Sequence, residues 1–159
     1  PGAAVSCNSQ PLSRLTANAS AYTPPSTNPN GTDLTASNEV TWSIAGGSGF
    51  TAFTRTIMGA FPVTDAISSG GTVVRASGYT LITGTVALAD SVLFAIGPVT
   101  RTIAGNANSC AFSPAELGTL NTGSALAQVV AYSSAQEVID GKRIYFVKQS
   151  LRTKSVSVE

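Results

Sequence analysis

The chain has 159 residues, of which 43% are hydrophobic and only 11% are charged, and its formal net charge is +1. A chain of this length can bury a core without metals or several disulfides, and its apolar content argues against global disorder. The near-neutral charge gives no general attraction to nucleic acid, and the sequence contains no run of about eighteen apolar residues that would predict a membrane-spanning helix.

Residues 1–34 show little hydrophobic periodicity, and three prolines and a glycine lie between positions 24 and 31. Two of these prolines are consecutive, which excludes a helix and indicates a loop. We therefore expect an extended N-terminal arm with a Pro-rich loop over residues 1–34, followed by a single β-sandwich domain over residues 35–159. The start of the sequence fits either a removed signal peptide or a trimmed initiator Met.

The first clear strand signal follows the Pro-rich loop. Val40, Trp42 and Ile44 alternate with polar residues, which predicts a strand with one buried face. Trp42 is expected in the core because it belongs to this alternating set. After a glycine-rich turn, residues 51–57 are predicted to form a second strand.

The middle of the chain contains several short segments rich in Thr, Val and Ile. Residues 79–88 are strand-like, and residues 92–96 are almost wholly apolar, which predicts a central strand. Gly97 and Pro98 indicate a turn, after which residues 99–103 alternate again.

One short helix is predicted in the second half of the chain. Ser113 is a good N-cap, Pro114 suits the first helical position, and Glu116 can complete a capping box. Gly118 is expected to end this helix after one or two turns. The preceding residues, 105–112, are predicted to form a loop.

The C-terminal third is dominated by a hairpin signal. Asp140 and Gly141 are the residue types of a tight two-residue turn, with residues 144–147 as the return strand. Residues 153–158 alternate cleanly and predict a further strand. Residues 124–139 suit either a short helix or a strand.

The count of short strands, the regular turn signals and the scarcity of helix predict an all-β fold. We expect an antiparallel β-sandwich or jelly roll with one short helix near residues 113–118. The segment order shows no strand–helix–strand alternation, so a parallel sheet is not expected.

The absence of histidine from the sequence is its most informative chemical feature. It removes the commonest general base and the usual zinc ligand, and the carboxylates are scattered along the chain. We therefore predict a protein that is not an enzyme, with no catalytic residues, no metal site and no cofactor.

Two cysteines and two sequons are candidate sites of covalent modification. Cys7 and Cys110 either form a disulfide or are two buried free thiols. Asn18 and Asn30 each begin an Asn-X-Ser/Thr glycosylation sequon.

Basic residues are concentrated near the C-terminus, where five of the nine occur in the last eighteen positions: Lys142, Arg143, Lys148, Arg152 and Lys154. One interpretation is a solvated pair of edge strands whose lysines discourage edge-to-edge pairing. The other is a patch for an anionic partner, and nucleic acid is expected as a partner only through this segment.

The segment L-T-A-S-N-E-V-T-W-S over residues 34–43 resembles the Thr/Ser-rich stretch that leads into V-T-W-S in bacterial Ig-like surface domains. Residues 15–19 are similar to an earlier strand of such a domain, so the resemblance covers about residues 15–44. After Trp42 the sequence departs from that family, and no functional residues carry over. The resemblance implies a surface-exposed sandwich used for adhesion or as a spacer.

Two functional hypotheses follow from these features. The first is a structural subunit of a larger assembly, either a surface filament or a virion shell or decoration protein, in which the N-terminal arm can add a strand to a neighbour's sheet. It implies a homo-oligomeric or polymeric state. The alternative is a monomeric, secreted Ig-like module that binds glycan or protein. The expected location is extracellular or at the cell surface, with a virion as the alternative.

Overall fold

The computed structural model describes residues 4–14, 22–23, 39–47, 49 and 51–159. The chain forms two compact units. The first unit comprises residues 1–60 together with 135–146, and the second comprises residues 61–134 together with 147–159.

The described residues of the first unit form six short strands: β1 (Val5–Cys7), β2 (Gln10–Pro11), β3 (Ser13–Arg14), β4 (Tyr22–Thr23), β5 (Val40–Ile44) and β6 (Phe53–Ile57). Four of them form an antiparallel sheet in the order β2-β1-β5-β6, and β3 pairs with β4. Within the described part of the predicted arm, β1 therefore pairs with β5 of its own chain. The strands predicted around residues 40–44 and 51–57 are confirmed.

Hydroxyl groups link β5 to β6 across the sheet of the first unit. Thr41 Oγ1 lies 2.9 Å from Thr56 Oγ1, and Ser43 Oγ lies 3.1 Å from Thr54 Oγ1. Such cross-strand pairs each contribute only a fraction of a kcal/mol, on the order of 0.2–1 kcal/mol. Trp42, expected in the core, is half-buried here.

The second unit begins with seven strands: β7 (Val63–Thr64), β8 (Thr72–Val73), β9 (Tyr79–Ile82), β10 (Val86–Ala87), β11 (Ser91–Ile96), β12 (Val99–Ala104) and β13 (Ser109–Phe112). A 3-10 turn, Arg75–Ser77, follows β8, and helix α1 spans Pro114–Leu117. Two long strands, β14 (Gly123–Ile139) and β15 (Lys142–Val158), have residues in both units.

A five-stranded sheet in the order β12-β11-β14-β15-β8 is the main sheet of the second unit. Strand β11 lies between β12 and β14, so the predicted central strand at residues 92–96 is confirmed. Strands β8 and β15 pair in parallel, whereas β11 pairs antiparallel with both β12 and β14. Two smaller pairs, β9 with β13 and β7 with β10, complete the strands of this unit.

The second unit is a β-sandwich with one apolar core. Among the described residues, sixteen buried side chains form this cluster, and they come from the five-stranded sheet, from the smaller strand pairs and from the region of α1. Phe94, Phe112 and Leu117 are among its largest fully buried members. Fully burying a side chain of this kind stabilises the fold by roughly 1.5–3 kcal/mol.

The predicted helix is confirmed, with its capping box. Ser113 Oγ accepts a hydrogen bond from Glu116 N at 3.4 Å, and Ser113 N donates to Glu116 Oε2 at 2.8 Å. Pro114 occupies the first turn, as the sequence predicts.

The secondary structure of two segments differs from, or was left open by, the sequence prediction. The prediction of a loop over residues 105–112 is wrong at its C-terminal end, because Ser109–Phe112 pairs with β9 and buries Cys110 and Phe112. Residues 124–139, which suited a helix or a strand, belong to β14. In both cases, cross-strand pairing that local sequence does not reveal decides the conformation.

The predicted hairpin turn at Asp140 and Gly141 is also confirmed. Both residues have positive φ angles, 50° and 73°, as a type I′ turn requires. The turn joins two strands of 17 residues each, about three times the usual strand length.

Candidate functional site

The two faces of the five-stranded sheet differ sharply in exposure and charge. On β11, Val92, Phe94 and Ile96 are fully buried in the sandwich core. Successive side chains of a strand point to opposite faces, so Ser91, Leu93 and Ala95 belong to the other face. We call this other face, within the second unit, the outer face.

Register extends this outer face across the neighbouring strands. Leu93 pairs with Thr102 of β12 on one side and with Val130 of β14 on the other. On β15, Val156 and Val158 belong to the core cluster, so the odd-numbered residues from Val147 to Ser157 lie on the outer face.

All positions of the outer face are described by the structure, and none of them carries an acidic or basic side chain. Its members are Thr, Ser, Gln, Ala, Leu, Val and Tyr residues: Thr100, Thr102 and Ala104; Ser91, Leu93 and Ala95; Leu126, Gln128, Val130 and Tyr132; Val147, Gln149, Leu151, Thr153, Ser155 and Ser157; and Thr72.

Large apolar side chains on this face remain open to solvent. Leu126 is 43% exposed, Val147 is 54% exposed and Leu151 is 44% exposed. With strands about 4.8 Å apart and a rise of about 3.3 Å per residue, the face covers roughly 600 Å² in projection. That area approaches the approximately 800 Å² of accessible surface that each partner buries in a standard protein interface.

The basic residues of β15 in the second unit lie on the opposite side from the outer face. Lys148 is 5% exposed, and its Nζ lies 5.1 Å from the centroid of the Phe61 ring. Lys154 Nζ donates a hydrogen bond to Ser69 O at 2.5 Å. Arg152 is exposed, and its Nη1 donates to the backbone carbonyl of the adjacent residue.

The remaining two residues of the predicted basic patch belong to the first unit. Lys142 Nζ donates to Gly49 O, and Arg143 is exposed beside it in sequence. The five basic residues are therefore divided between the two units, and Lys148 is buried. An anionic partner for this segment stays a prediction.

The turn of the long hairpin is held within the first unit by a carboxylate. Asp140 Oδ2 accepts hydrogen bonds from Thr51 N at 2.5 Å and from Thr51 Oγ1 at 2.6 Å. These two bonds, together with the nearby Lys142 ammonium, hold the pKa of Asp140 below its ordinary value. Nearby, Arg55 Nε lies 3.3 Å from Glu137 Oε2 in an exposed ion pair.

The two cysteines are free and buried, Cys7 on β1 and Cys110 on β13. Burial raises the pKa of both thiols. At Cys110 the neighbouring Arg101 guanidinium opposes this effect. The candidate glycosylation sites Asn18 and Asn30 lie outside the described residues.

An open groove in the first unit has a volume of about 510 Å³. It is lined by Ala, Val, Ile, Phe, Pro, Ser and Thr side chains of β1, β2, β5 and β6 and of the segments beside them. Ser43 and Thr54 supply hydroxyl groups to this groove.

Among the described residues, no group of three or more His, Cys, Asp or Glu side chains is placed to hold a metal ion. Within the same part of the chain, no helix has both the length and the apolar character needed to cross a membrane. No family model matches the chain, and neither a curated protein nor a solved structure is similar to it.

The outer face is a feature that sequence reasoning missed. Its signal was present as an uncharged set of alternating residues in β15, from Val147 to Ser157. Recognising the face also required β14 to be assigned as a strand and paired with β11, and the local sequence left β14 ambiguous.

Proposed function

We propose that this protein is a non-enzymatic structural subunit of a larger homo-assembly, and that it packs through its outer face against another copy. The single observation that carries this proposal is the absence of charge from that face, every position of which is described. It combines exposed apolar side chains with hydroxyl and amide groups that can form hydrogen bonds with an identical surface.

Self-association of identical faces is favoured by this composition. Two like faces with charged groups would repel one another or would have to desolvate those charges, which costs several kcal/mol per ion in a dry contact. The outer face avoids both costs because its charged neighbours on β15 lie on the other side of the strand. Burying Leu126, Val147 and Leu151 then contributes a hydrophobic driving force.

The composition of the whole chain supports the same proposal. With 11% charged residues and a net charge of +1, the protein has little long-range electrostatic repulsion to keep copies apart. A surface filament and a virion shell both require such repeated contacts.

The role of the N-terminal arm is a separate proposal. Strand exchange by the arm would require β1 to leave β5 of its own chain and pair with β5 of a neighbour, as in domain swapping. The outer face needs no such rearrangement, so we assign the main contact to the outer face.

The experiment is light scattering coupled to size-exclusion chromatography, followed by electron microscopy of negatively stained samples. The wild-type protein is expected to form regular particles or filaments. Val147→Asp, which places a charge in the outer face, is expected to weaken association at least about tenfold.

A matched control is Val63→Asp. Val63 is 50% exposed and lies on β7, outside the five-stranded sheet, so this substitution adds the same charge at a similar exposure. The control should assemble like wild type. A wild-type protein that stays monomeric at high concentration would reject the proposal and leave the adhesion module standing. Equal effects of the two substitutions would reject the outer face as the contact.

Microscopy of the native source would place the assembly at a cell surface or in a virion. Filaments attached to cells support the first location, and particles with regular shells support the second.

A further inference from the structure

The two edges of the five-stranded sheet differ in how well they are protected against pairing with a further strand. At one edge β8 covers β15 only at Ser157 and Val158. The rest of that edge carries Lys148, Arg152 and Lys154, and cations of this kind discourage pairing with another strand. At the other edge lies β12, with six residues paired to β11 on one side only.

The backbone groups of β12 that face away from β11 can be identified from the register. Ile96 pairs with Val99 across a two-residue loop, and Gly105 N donates to Asp90 O at 2.8 Å. Both contacts place the hydrogen-bonded positions of β12 at the odd-numbered residues.

The N–H and C=O groups of Thr100, Thr102 and Ala104 therefore point away from the sheet. In the described part of the chain, β12 has no strand partner on that side. Unpaired strand edges are templates for the addition of another strand.

We propose that β12 pairs antiparallel with β12 of a second copy, in a register centred on Thr102, to give a continuous ten-stranded sheet. This inference rests on the proposed function, because it specifies how one pair of subunits in the assembly is joined. In this register Thr102 pairs with Thr102 of the second copy, and Thr100 pairs with Ala104 of the second copy. Each such pair exchanges two hydrogen bonds, so all the outward backbone groups of β12 are satisfied.

Other symmetric registers use the edge less well. Centring on Thr100 would place Thr102 opposite Pro98, which has no N–H group to donate. Centring on Ala104 would place Thr102 and Thr100 opposite residues beyond the end of β12.

The charges on β12 also favour the proposed register. Arg101 is the one charged residue of β12, and its Nε lies 2.8 Å from Glu116 Oε1. Arg101 Nη1 donates to Ala111 O at 3.1 Å. In the register centred on Thr102, Arg101 lies opposite Ile103 of the second copy, so the two arginines do not face one another.

The outer face would continue across this junction without charge. Thr100, Thr102 and Ala104 are its members on β12, and in the proposed register they meet only the same residues of the second copy. Pairing through β12 would thus give each subunit an edge contact in addition to its face contact, and subunits joined only by two-fold symmetric contacts need two different ones to grow beyond a dimer.

The test is disulfide trapping with Thr102→Cys, in the wild-type background and in a Cys7→Ala/Cys110→Ala background. Hydrogen-bonded antiparallel partners have Cα atoms about 5.5 Å apart, which is within the range that a disulfide spans. Mild oxidation is expected to convert most of the protein to a covalent dimer on non-reducing gels. Circular dichroism checks that each variant keeps the wild-type fold.

The matched control is Thr100→Cys, an exposed threonine on the same strand and face. In the proposed register two copies of position 100 lie four residues apart, about 14 Å, which is too far for a disulfide. The double variant Thr100→Cys/Ala104→Cys should restore the covalent dimer.

Equal cross-linking of the two single variants would overturn the proposed register. So would particles that form normally while Thr102→Cys gives no covalent dimer, and in that case the proposed function would stand. A wild-type protein that remains monomeric in light scattering would remove both proposals.

Discussion

The two units of this chain differ in how many apolar side chains their described residues bury. The second unit has a single cluster of sixteen buried side chains among its described residues. In the described part of the first unit, the buried apolar side chains are Cys7, Val40 and Phe146, and two hydroxyl pairs and the Asp140 carboxylate add side-chain hydrogen bonds. Among the described residues, the second unit thus holds an extended apolar core, whereas the first buries few apolar side chains.

This division has consequences for how the protein opens. Local unfolding is easiest where few apolar contacts are lost and most hydrogen bonds are near solvent. The described part of the first unit meets both conditions, whereas the second unit has the core needed to present a rigid outer face. We therefore expect assembly to depend on the second unit more than on the first.

The largest expected effect is that of Phe94→Ala, which removes a fully buried ring from the centre of β11. We expect it to lower the free energy of unfolding by about 3–5 kcal/mol. The comparison variant is Val40→Ala in the first unit, where loss of two methyl groups should cost about 1.6 kcal/mol. Urea unfolding followed by circular dichroism measures both. A loss for Val40→Ala that equals that of Phe94→Ala would contradict the difference between the units.

The two buried thiols provide a second test, because Cys7 reports on the first unit and Cys110 on the second. Each is almost fully buried, so its reaction with a thiol reagent requires local opening. We expect Cys7 to react at least about tenfold faster than Cys110 under native conditions. Single-cysteine variants, Cys110→Ala and Cys7→Ala, separate the two rates in labelling with a chromogenic disulfide.

The control for this test is the labelling rate of each variant in concentrated urea, where both thiols are exposed. Dividing by that rate removes differences in intrinsic reactivity. Native rates that are equal after this correction, or a faster reaction at Cys110, would mean that the first unit is as well protected as the second.

Local sequence signals predicted a large part of the fold. The alternation at Val40, Trp42 and Ile44, the capping box that begins at Ser113, and the turn at Asp140 and Gly141 each depend on residues close in the chain. Such features can be predicted because the interacting groups are neighbours in sequence.

What could not be predicted depends on contacts between distant segments. β13 is only four residues long and follows a polar stretch, so its pairing with β9 decides its structure. The outer face required the register of Leu93 with Thr102 and Val130, and the separation of Lys148 from that face required the parity of β15. Composition indicated low charge, but only the sheet shows where charge is absent.

The smallest expected effect concerns acid. In the second unit, hydrogen bonds from the Ser113 side chain and backbone, aided by Arg101, hold the pKa of Glu116 below its ordinary value. In the first unit, the Thr51 side chain and backbone lower the pKa of Asp140 in the same way. Each carboxylate therefore contributes stability that is complete above its unfolded pKa and is lost as the pH falls through its folded pKa.

Glu116→Gln and Asp140→Asn should each lower stability at pH 7 and flatten its dependence on pH below about 4.5, where carboxylates of unfolded chains titrate. Both side chains are solvent-exposed, so the effects should be small beside that of Phe94→Ala. Asp140→Asn should speed the labelling of Cys7 severalfold and leave that of Cys110 unchanged, because its bonds to Thr51 lie within the first unit. Glu116→Gln should speed the labelling of Cys110 and leave that of Cys7 unchanged. If Asp140→Asn accelerated both thiols equally, the two units would open together, and the polar contacts of the first unit would be coupled to the apolar core of the second.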